Sequence, residues 1–248
     1  MNRKLRKIIS AATAAAILAS SLATGGLTVS AAAPSEPIQT FQEVWGMEDV
    51  TGEQLRASIG DAYGMIRDNI FTLDIAEGKG VDGSNAIAWT NTASSPNYSD
   101  IDLRYHELEN RQTDWSGAEE VWFHVDFREY GTMEPQIRFA FQETVYQEDG
   151  TSLNVQHALS MKSGALYYYN DGLNWIPGEV DGSQRMTFPV GFNGWVRIPL
   201  DMSTFSAYWN GYDDMYLKDV NQLNMHIVGN DTTLNKTAIY CYQINDLI

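Results

Sequence analysis

The chain has 248 residues, with 16 Lys and Arg against 32 Asp and Glu, a formal net charge of −16 and 12% aromatic residues. So acidic a surface repels nucleic acid and anionic membranes, and it argues against acidic polysaccharides such as pectate unless a basic patch or a metal intervenes. Cys241 is the only cysteine, which excludes an intramolecular disulfide.

Met1 to Lys7 carries Arg3, Lys4, Arg6 and Lys7, and an apolar Ala/Ile/Leu run follows from Ile8 to Ala23. This pattern predicts a secretory signal peptide over residues 1–32, cleaved after Ala31 or Ala32. A membrane anchor is the competing reading, weakened by a short apolar run diluted with Ser and Thr. Export removes those four basic residues and no acidic one, so the formal charge moves from −16 to −20. No later segment is apolar enough to span a bilayer, so a soluble, extracellular protein is expected. The remaining roughly 210 residues suffice for one sizeable core, read as a linker over 33–40 and one domain over 41–248.

The stretch from Phe41 to Asp74 is the least periodic, with room for one short helix between Gly52 and Arg67. Beyond it, apolar residues alternate: Val121, Phe123, Val125 and Phe127; then Ile137, Phe139 and Phe141; later Leu223, Met225 and Ile227. Asp-Gly pairs at 82–83, 149–150, 171–172 and 181–182, and Asn-Gly at 193–194 and 210–211, offer the positive φ angles that tight hairpins need. Short strands, regular turn signals and almost no helical period predict an all-β fold, an antiparallel β-sandwich. In Phe192–Phe205, Val196, Ile198 and Leu200 form an aliphatic face opposite Trp195, Arg197 and Pro199, as a half-buried strand requires. Cys241, between Tyr240 and Tyr242 and in phase with Ile239, reads as a small buried hydrophobe and not as a catalytic thiol.

The Gly194–Leu200 run, G-W-V-R-I-P-L, resembles a strand of carbohydrate-binding-module β-sandwiches from secreted bacterial polysaccharide-degrading systems, the galactose-binding-like jelly rolls. Three further stretches resemble the same family in the same order: Gly83–Trp89, Asp114-Trp115-Ser116-Gly117 leading into Val-Trp-Phe, and the closing Ala238–Ile248. The resemblance covers most of residues 80–248 and implies a jelly roll that binds polysaccharide. It also implies a structural calcium between an early Phe-Glu and a terminal Asp pair. Here those places hold Phe41-Gln42-Glu43 and Asn245-Asp246, so two carboxylates become amides, and the set left for Ca2+ is Glu43, Asp246 and backbone carbonyls.

If the aliphatic residues face the core, the opposite faces display Trp122, His124 and Asp126 from one strand. A second strand adds Gln136, Arg138 and Gln142, and a third Gln222, Asn224 and His226. An indole beside amides, imidazoles, Arg and Asp suits a sugar, whose C–H face stacks on the ring while its hydroxyls take planar partners. An ordinary solvated sheet face is the alternative. Tyr208, Trp209, Tyr212 and Tyr216 lie in one connection, where they serve either as a stacking platform or as a plug for the core, and Trp209 is the candidate ligand contact. The Tyr167-Tyr168-Tyr169 run must put one ring off the core face, near Trp175 across a turn.

No catalytic residues are assigned. No G-x-S-x-G, HExxH or phosphate-cradling loop is present, no strand shows E-x-D-x-E spacing, and Glu134 and Glu143 are read at strand ends. The expectation is a secreted non-catalytic module for polysaccharide, a neutral plant-type glycan, with no nucleic-acid or membrane partner. The alternative is a jelly-roll glycoside hydrolase or polysaccharide lyase, for which Tyr130, His124 and Arg138 are the residues at hand.

Overall fold

The computed structural model describes residues 42–57, 71–91, 99–103, 112–129, 132, 134–147, 149–170, 172–209, 213–228 and 238–247. Of these, only the backbone is described for 42–43, 71–73, 89–91, 99–103, 152–156, 208–209, 226, 228 and 238–247. The expected signal peptide and linker lie outside the described residues. Among the described residues, no helix is long and apolar enough to cross a membrane.

The described residues hold fourteen strands: β1 (Gln42–Trp45), β2 (Phe71–Ala76), β3 (Ala86–Asn91), β4 (Ser99–Leu103), β5 (Glu120–Asp126), β6 (Gln136–Tyr146), β7 (Ser152–Met161), β8 (Leu166–Asn170), β9 (Trp175–Glu179), β10 (Met186–Thr187), β11 (Asn193–Pro199), β12 (Phe205–Trp209), β13 (Val220–Val228) and β14 (Ala238–Leu247), and the predicted period-two alternation is realised in β5, β6, β11 and the Leu223–Ile227 part of β13. The strands form two antiparallel sheets. One has eight strands in the order β2-β3-β14-β5-β11-β8-β9, with β1 beside β14. The other has six in the order β12-β7-β6-β13-β4, with β10 beside β6.

Apolar residues of both sheets meet in one core. Phe123 of the eight-stranded sheet stacks on Phe139 of the six-stranded sheet, centroids 5.8 Å apart and planes 8° apart. Phe141 and Phe205 meet edge to face at 5.2 Å, and Phe188 stacks on Phe192 at the same distance. Each such ring contributes about 1.5–3 kcal/mol by leaving water. The fold is therefore the antiparallel β-sandwich that the alternation predicts.

The short helix is α1 (Gly52–Ala57), and Leu55 enters the core from it. Thr51 and Gln54 close a capping box: the Gln54 N–H donates to Thr51 Oγ1 at 3.2 Å, and the Thr51 N–H donates to Gln54 Oε1 at 2.9 Å. In the Asp114–Gly117 motif, Asp114 Oδ1 accepts from the Ser116 N–H and hydroxyl, which turns the chain into β5.

Three local readings change. Gly83, Gly150 and Gly172 adopt the expected positive φ, but in the Asp181-Gly182 turn Gln184 adopts it and Gly182 does not, and Asn193-Gly194 is no turn: it opens β11. A Cβ on Gly194 would sit 2.5 Å from the Asn170 carbonyl oxygen, so close approach of β8, not turn geometry, requires glycine there. Glu143 does not end a strand. It lies inside β6 on the core face and is fully buried. Cys241 pairs in register with Val125 and Ile87, both core residues; its side chain is outside the described part.

Candidate functional site

In an antiparallel ladder, directly paired residues share a face. On the six-stranded sheet, the odd-numbered residues of β6 from Ile137 to Val145 are buried while Arg138, Ala140, Gln142 and Thr144 look outward. β13 aligns Gln222 with Gln142, Asn224 with Ala140 and His226 with Arg138. β7 aligns Ser160 with Ala140 and Ala158 with Gln142.

Trp209 joins this face through a bulge. Phe205 and Ala207 pair with Met161 and Leu159 in phase with the core, and simple alternation would keep Trp209 there. A register shift between Ala207 and Trp209 instead pairs Trp209 with Ala158, the outer-face position next to Gln142. Five sequence-predicted ligand residues, Arg138, Gln142, Asn224, His226 and Trp209, therefore occupy one face. The side chains of His226 and Trp209 lie outside the described part.

The floor between them is small. Ala140, Ala158 and Ser160 sit side by side on β6 and β7, and Arg138 reaches across so that its Nε and Nη2 donate to Ser160 Oγ at 3.4 Å each. Gln142 Oε1 is a buried oxygen without a hydrogen-bond partner among the described residues. At the sheet edge, β4 places Asp100 and Asp102 in register with His226 and Asn224. Neither the floor nor these acids emerges from the sequence reading. Both follow from β6 pairing with β7 and β13 with β4, which single-strand alternation does not reveal.

Trp122, His124 and Asp126 do not belong to this face. They lie on β5, in the eight-stranded sheet, and their outward side is the opposite side of the sandwich. The sequence reading combined them because all three strands alternate alike, and alternation tells in from out without telling which sheet a strand joins. Asp126 is, moreover, already engaged: the exposed Arg128 donates from Nε and Nη2, at 2.9 and 2.5 Å, to its two carboxylate oxygens. Burial would raise its pKa, but the Arg128 contacts hold it below the ordinary carboxylate value. His124 is pushed down to about 4, chiefly by burial, so its imidazole is neutral at physiological pH.

Around these residues the eight-stranded sheet gathers Trp195 and Arg197 of β11, Tyr168 of β8 and Trp175 of β9. Trp122 lies 4.7 Å from Trp175 and 6.4 Å from Trp195, and His124 lies 5.4 Å from Trp195. As the Tyr167–Tyr169 run predicts, Tyr168 is the ring off the core while Tyr167 is buried.

The other candidates resolve individually. Tyr216 gives its N–H to Glu143 and lies 6.3 Å from the His157 ring, which is a packing role; Tyr212 lies outside the described residues. Glu143 also accepts the Leu217 N–H and bonds His157 Nδ1 at 3.0 Å, with both side chains sealed from solvent. Tyr130 lies outside the described residues. No group of three or more His, Cys, Asp or Glu that could hold a metal occurs among the described residues. The backbone sets Glu43 opposite Asn245 and Gln42 opposite Asp246 on β1 and β14, and Asn245 and Asp246 opposite Trp122 and Val121, so the two proposed carboxylates occupy adjacent register positions on opposite faces of the sheet; their side chains lie outside the described part.

No protein-family model and no curated protein matches the sequence. Solved structures do resemble the chain. One is the family 11 carbohydrate-binding module of the cellulosomal cellulase Lic26A-Cel5E of Clostridium thermocellum, 14% identical over 71% of this chain and 81% of that one, at a TM-score of 0.39. Another is the CBM22-1 xylan-binding domain from Paenibacillus barcinonensis Xyn10C, 10% identical over 71% and 81%, at 0.30. A non-crystalline-cellulose-specific module, CBM28, is 11% identical over 86% and 96%, at 0.33. The chain is an antiparallel β-sandwich with carbohydrate-binding modules among the solved structures it resembles.

Proposed function

We propose that this chain is a secreted, non-catalytic polysaccharide-binding module that holds a neutral glycan on the outer face of its six-stranded sheet. The observation that carries the reading is the convergence of Arg138, Gln142, Asn224, His226 and Trp209 on one register-matched face over a floor of Ala140, Ala158 and Ser160. Ala158 and Ser160 are buried and Arg138 bridges to Ser160, so a sugar ring would rest on the longer side chains of this face rather than on the floor itself. The bidentate guanidinium and amides match vicinal hydroxyls, and an indole at the rim suits the C–H face of the next ring. Gln142 Oε1, buried and without a hydrogen-bond partner among the described residues, would accept a sugar hydroxyl once its amide turned outward. The strands are preformed, so little ordering entropy opposes binding.

A calcium held by one of the two carboxylates, Glu43 or Asp246, with backbone carbonyls where β1 meets β14 belongs to the same reading, since the register puts the two on opposite faces. With Gln42 and Asn245 as amides, its charge is low, and its part is structural.

The test is a retention and turnover screen on neutral glycans, with xylan and non-crystalline cellulose first, with and without chelator. Retention without product release is the expected outcome. Replacing Arg138 and Gln142 together by Ala should cost about 2–4 kcal/mol, a loss of roughly 30-fold or more in affinity. Unchanged affinity in the folded double variant refutes the site, and release of reducing ends or unsaturated product refutes the non-catalytic reading.

A further inference from the structure

We propose that the outer face of the eight-stranded sheet is a second, separate glycan site, and that the chain is bivalent for polysaccharide. This rests on the glycan reading above and extends it to the opposite side of the sandwich.

The distribution of indoles points there first. The chain has seven tryptophans. Of the five with described side chains, Trp45 and Trp115 fill the core, and Trp122, Trp175 and Trp195 meet on this one half-exposed face. Three strands, β5, β9 and β11, contribute those rings, and β8 adds Tyr168. A cross-strand pair would satisfy local sheet stability. Four rings on four strands instead make a surface wide enough to receive successive sugar units.

The rings are fixed in place. Trp122 Nε1 donates to Glu120 Oε2 at 2.9 Å, so the indole N–H needs nothing from a ligand. The Arg197 guanidinium carbon lies 4.6 Å from the Tyr168 ring centre and 4.8 Å from that of Trp175, with one arm 3.8 Å from Glu120. This cation is thereby committed to holding two rings rather than to capturing an anion.

Charge then selects the ligand. Arg197 is balanced by Glu120, Asp126 by Arg128, and the buried His124 is neutral. Within a chain of net charge −16, the exposed Glu179 lies at the far end of edge strand β9, and the ring cluster itself is an aromatic surface whose neighbouring charges are paired. An acidic or basic polymer finds no counter-charge there, whereas a neutral pyranose chain, with C–H faces to stack and hydroxyls to offer Glu120 and Asn170, fits the chemistry.

The experiment titrates the purified protein with cellohexaose and with xylohexaose, reading stoichiometry by calorimetry and the indole N–H resonances by NMR. The expected result is two hexasaccharides per chain for one of these probes. One should remain in the Arg138→Ala/Gln142→Ala variant and one in Trp175→Ala/Trp195→Ala. The Trp122, Trp175 and Trp195 indole signals should still titrate in the Arg138→Ala/Gln142→Ala variant, a readout that does not depend on folding of the tryptophan variant. A single hexasaccharide per chain, lost entirely in Arg138→Ala/Gln142→Ala with those indole signals unmoved, overturns bivalence and leaves the proposed function standing. A single hexasaccharide lost only in Trp175→Ala/Trp195→Ala overturns both bivalence and the six-stranded site. Binding of neither probe overturns bivalence, while retention on xylan or cellulose separately decides the proposed function.

Discussion

Glu143 offers the sharpest physical test of the fold, because two opposed effects meet on one carboxylate. It is fully buried, which favours the neutral acid, yet it accepts the N–H groups of Tyr216 and Leu217 and bonds His157 Nδ1, which favours the anion. Burial wins, so its pKa stands above the ordinary glutamate value. A carboxyl whose folded pKa exceeds its unfolded one contributes stability that is fully present below about pH 4.3 and is lost as pH rises through the folded value. Between those limits the unfolded chain has released the proton and the native state retains it, so this group's slope is at most about −1.4 kcal/mol per pH unit. Glu143→Gln keeps a carbonyl oxygen for the two N–H groups but cannot titrate. Urea unfolding of both proteins from pH 4 upward should therefore show the wild type losing ground to the Gln variant as pH rises. Glu143→Ala, which strips the partner from three polar groups, should cost about 3–5 kcal/mol at every pH. A wild-type advantage over Gln that grows with pH would show that the hydrogen bonds outweigh burial, and the reasoning would fail.

Two further substitutions probe close contacts. Gly194→Ala drives a methyl to 2.5 Å from the Asn170 carbonyl oxygen and 3.0 Å from the Phe192 ring, and thermal unfolding should register a loss of about 1–3 kcal/mol or more. Tyr167→Phe removes a hydroxyl that donates to the Thr187 carbonyl at 2.5 Å and accepts its N–H at 2.9 Å, and denaturant unfolding should show a loss of about 1–3 kcal/mol.

Alternation in β5, β6, β11 and β13 was legible residue by residue, since burial enforces period two whatever the partner strand. What alternation omits is adjacency. Trp122 and Arg138 carry the same outward signature, yet they stand on opposite sides of the sandwich because β5 pairs with β11 and β14 whereas β6 pairs with β7 and β13. Register irregularity is hidden as well. Trp209 shares the parity of Phe205, and only the bulge after Ala207 moves it out of the core register. Glu143 shows the reverse failure: a carboxylate in a core phase looks like the end of a strand until the N–H groups of the 216–217 segment supply its partners.

The placement of charge ties both faces to one physical requirement. Glu77, Asp82, Glu129, Asp149, Asp213 and Asp214 all lie exposed in turns, outside the strands. On the six-stranded face, Arg138 is the only charge among the described side chains of β6, β7 and β13, with Asp100 and Asp102 confined to the edge strand β4. On the eight-stranded face, Arg197 pairs with Glu120 and Asp126 with Arg128, while the exposed Glu179 stands at the end of edge strand β9. An aromatic or amide-lined sheet face left open to water is a hazard, since two copies can bury such faces against each other. Acidic turns supply like-charge repulsion between copies while leaving few charges on the faces themselves. A neutral polymer escapes that repulsion, which is the condition the two proposed glycan faces require.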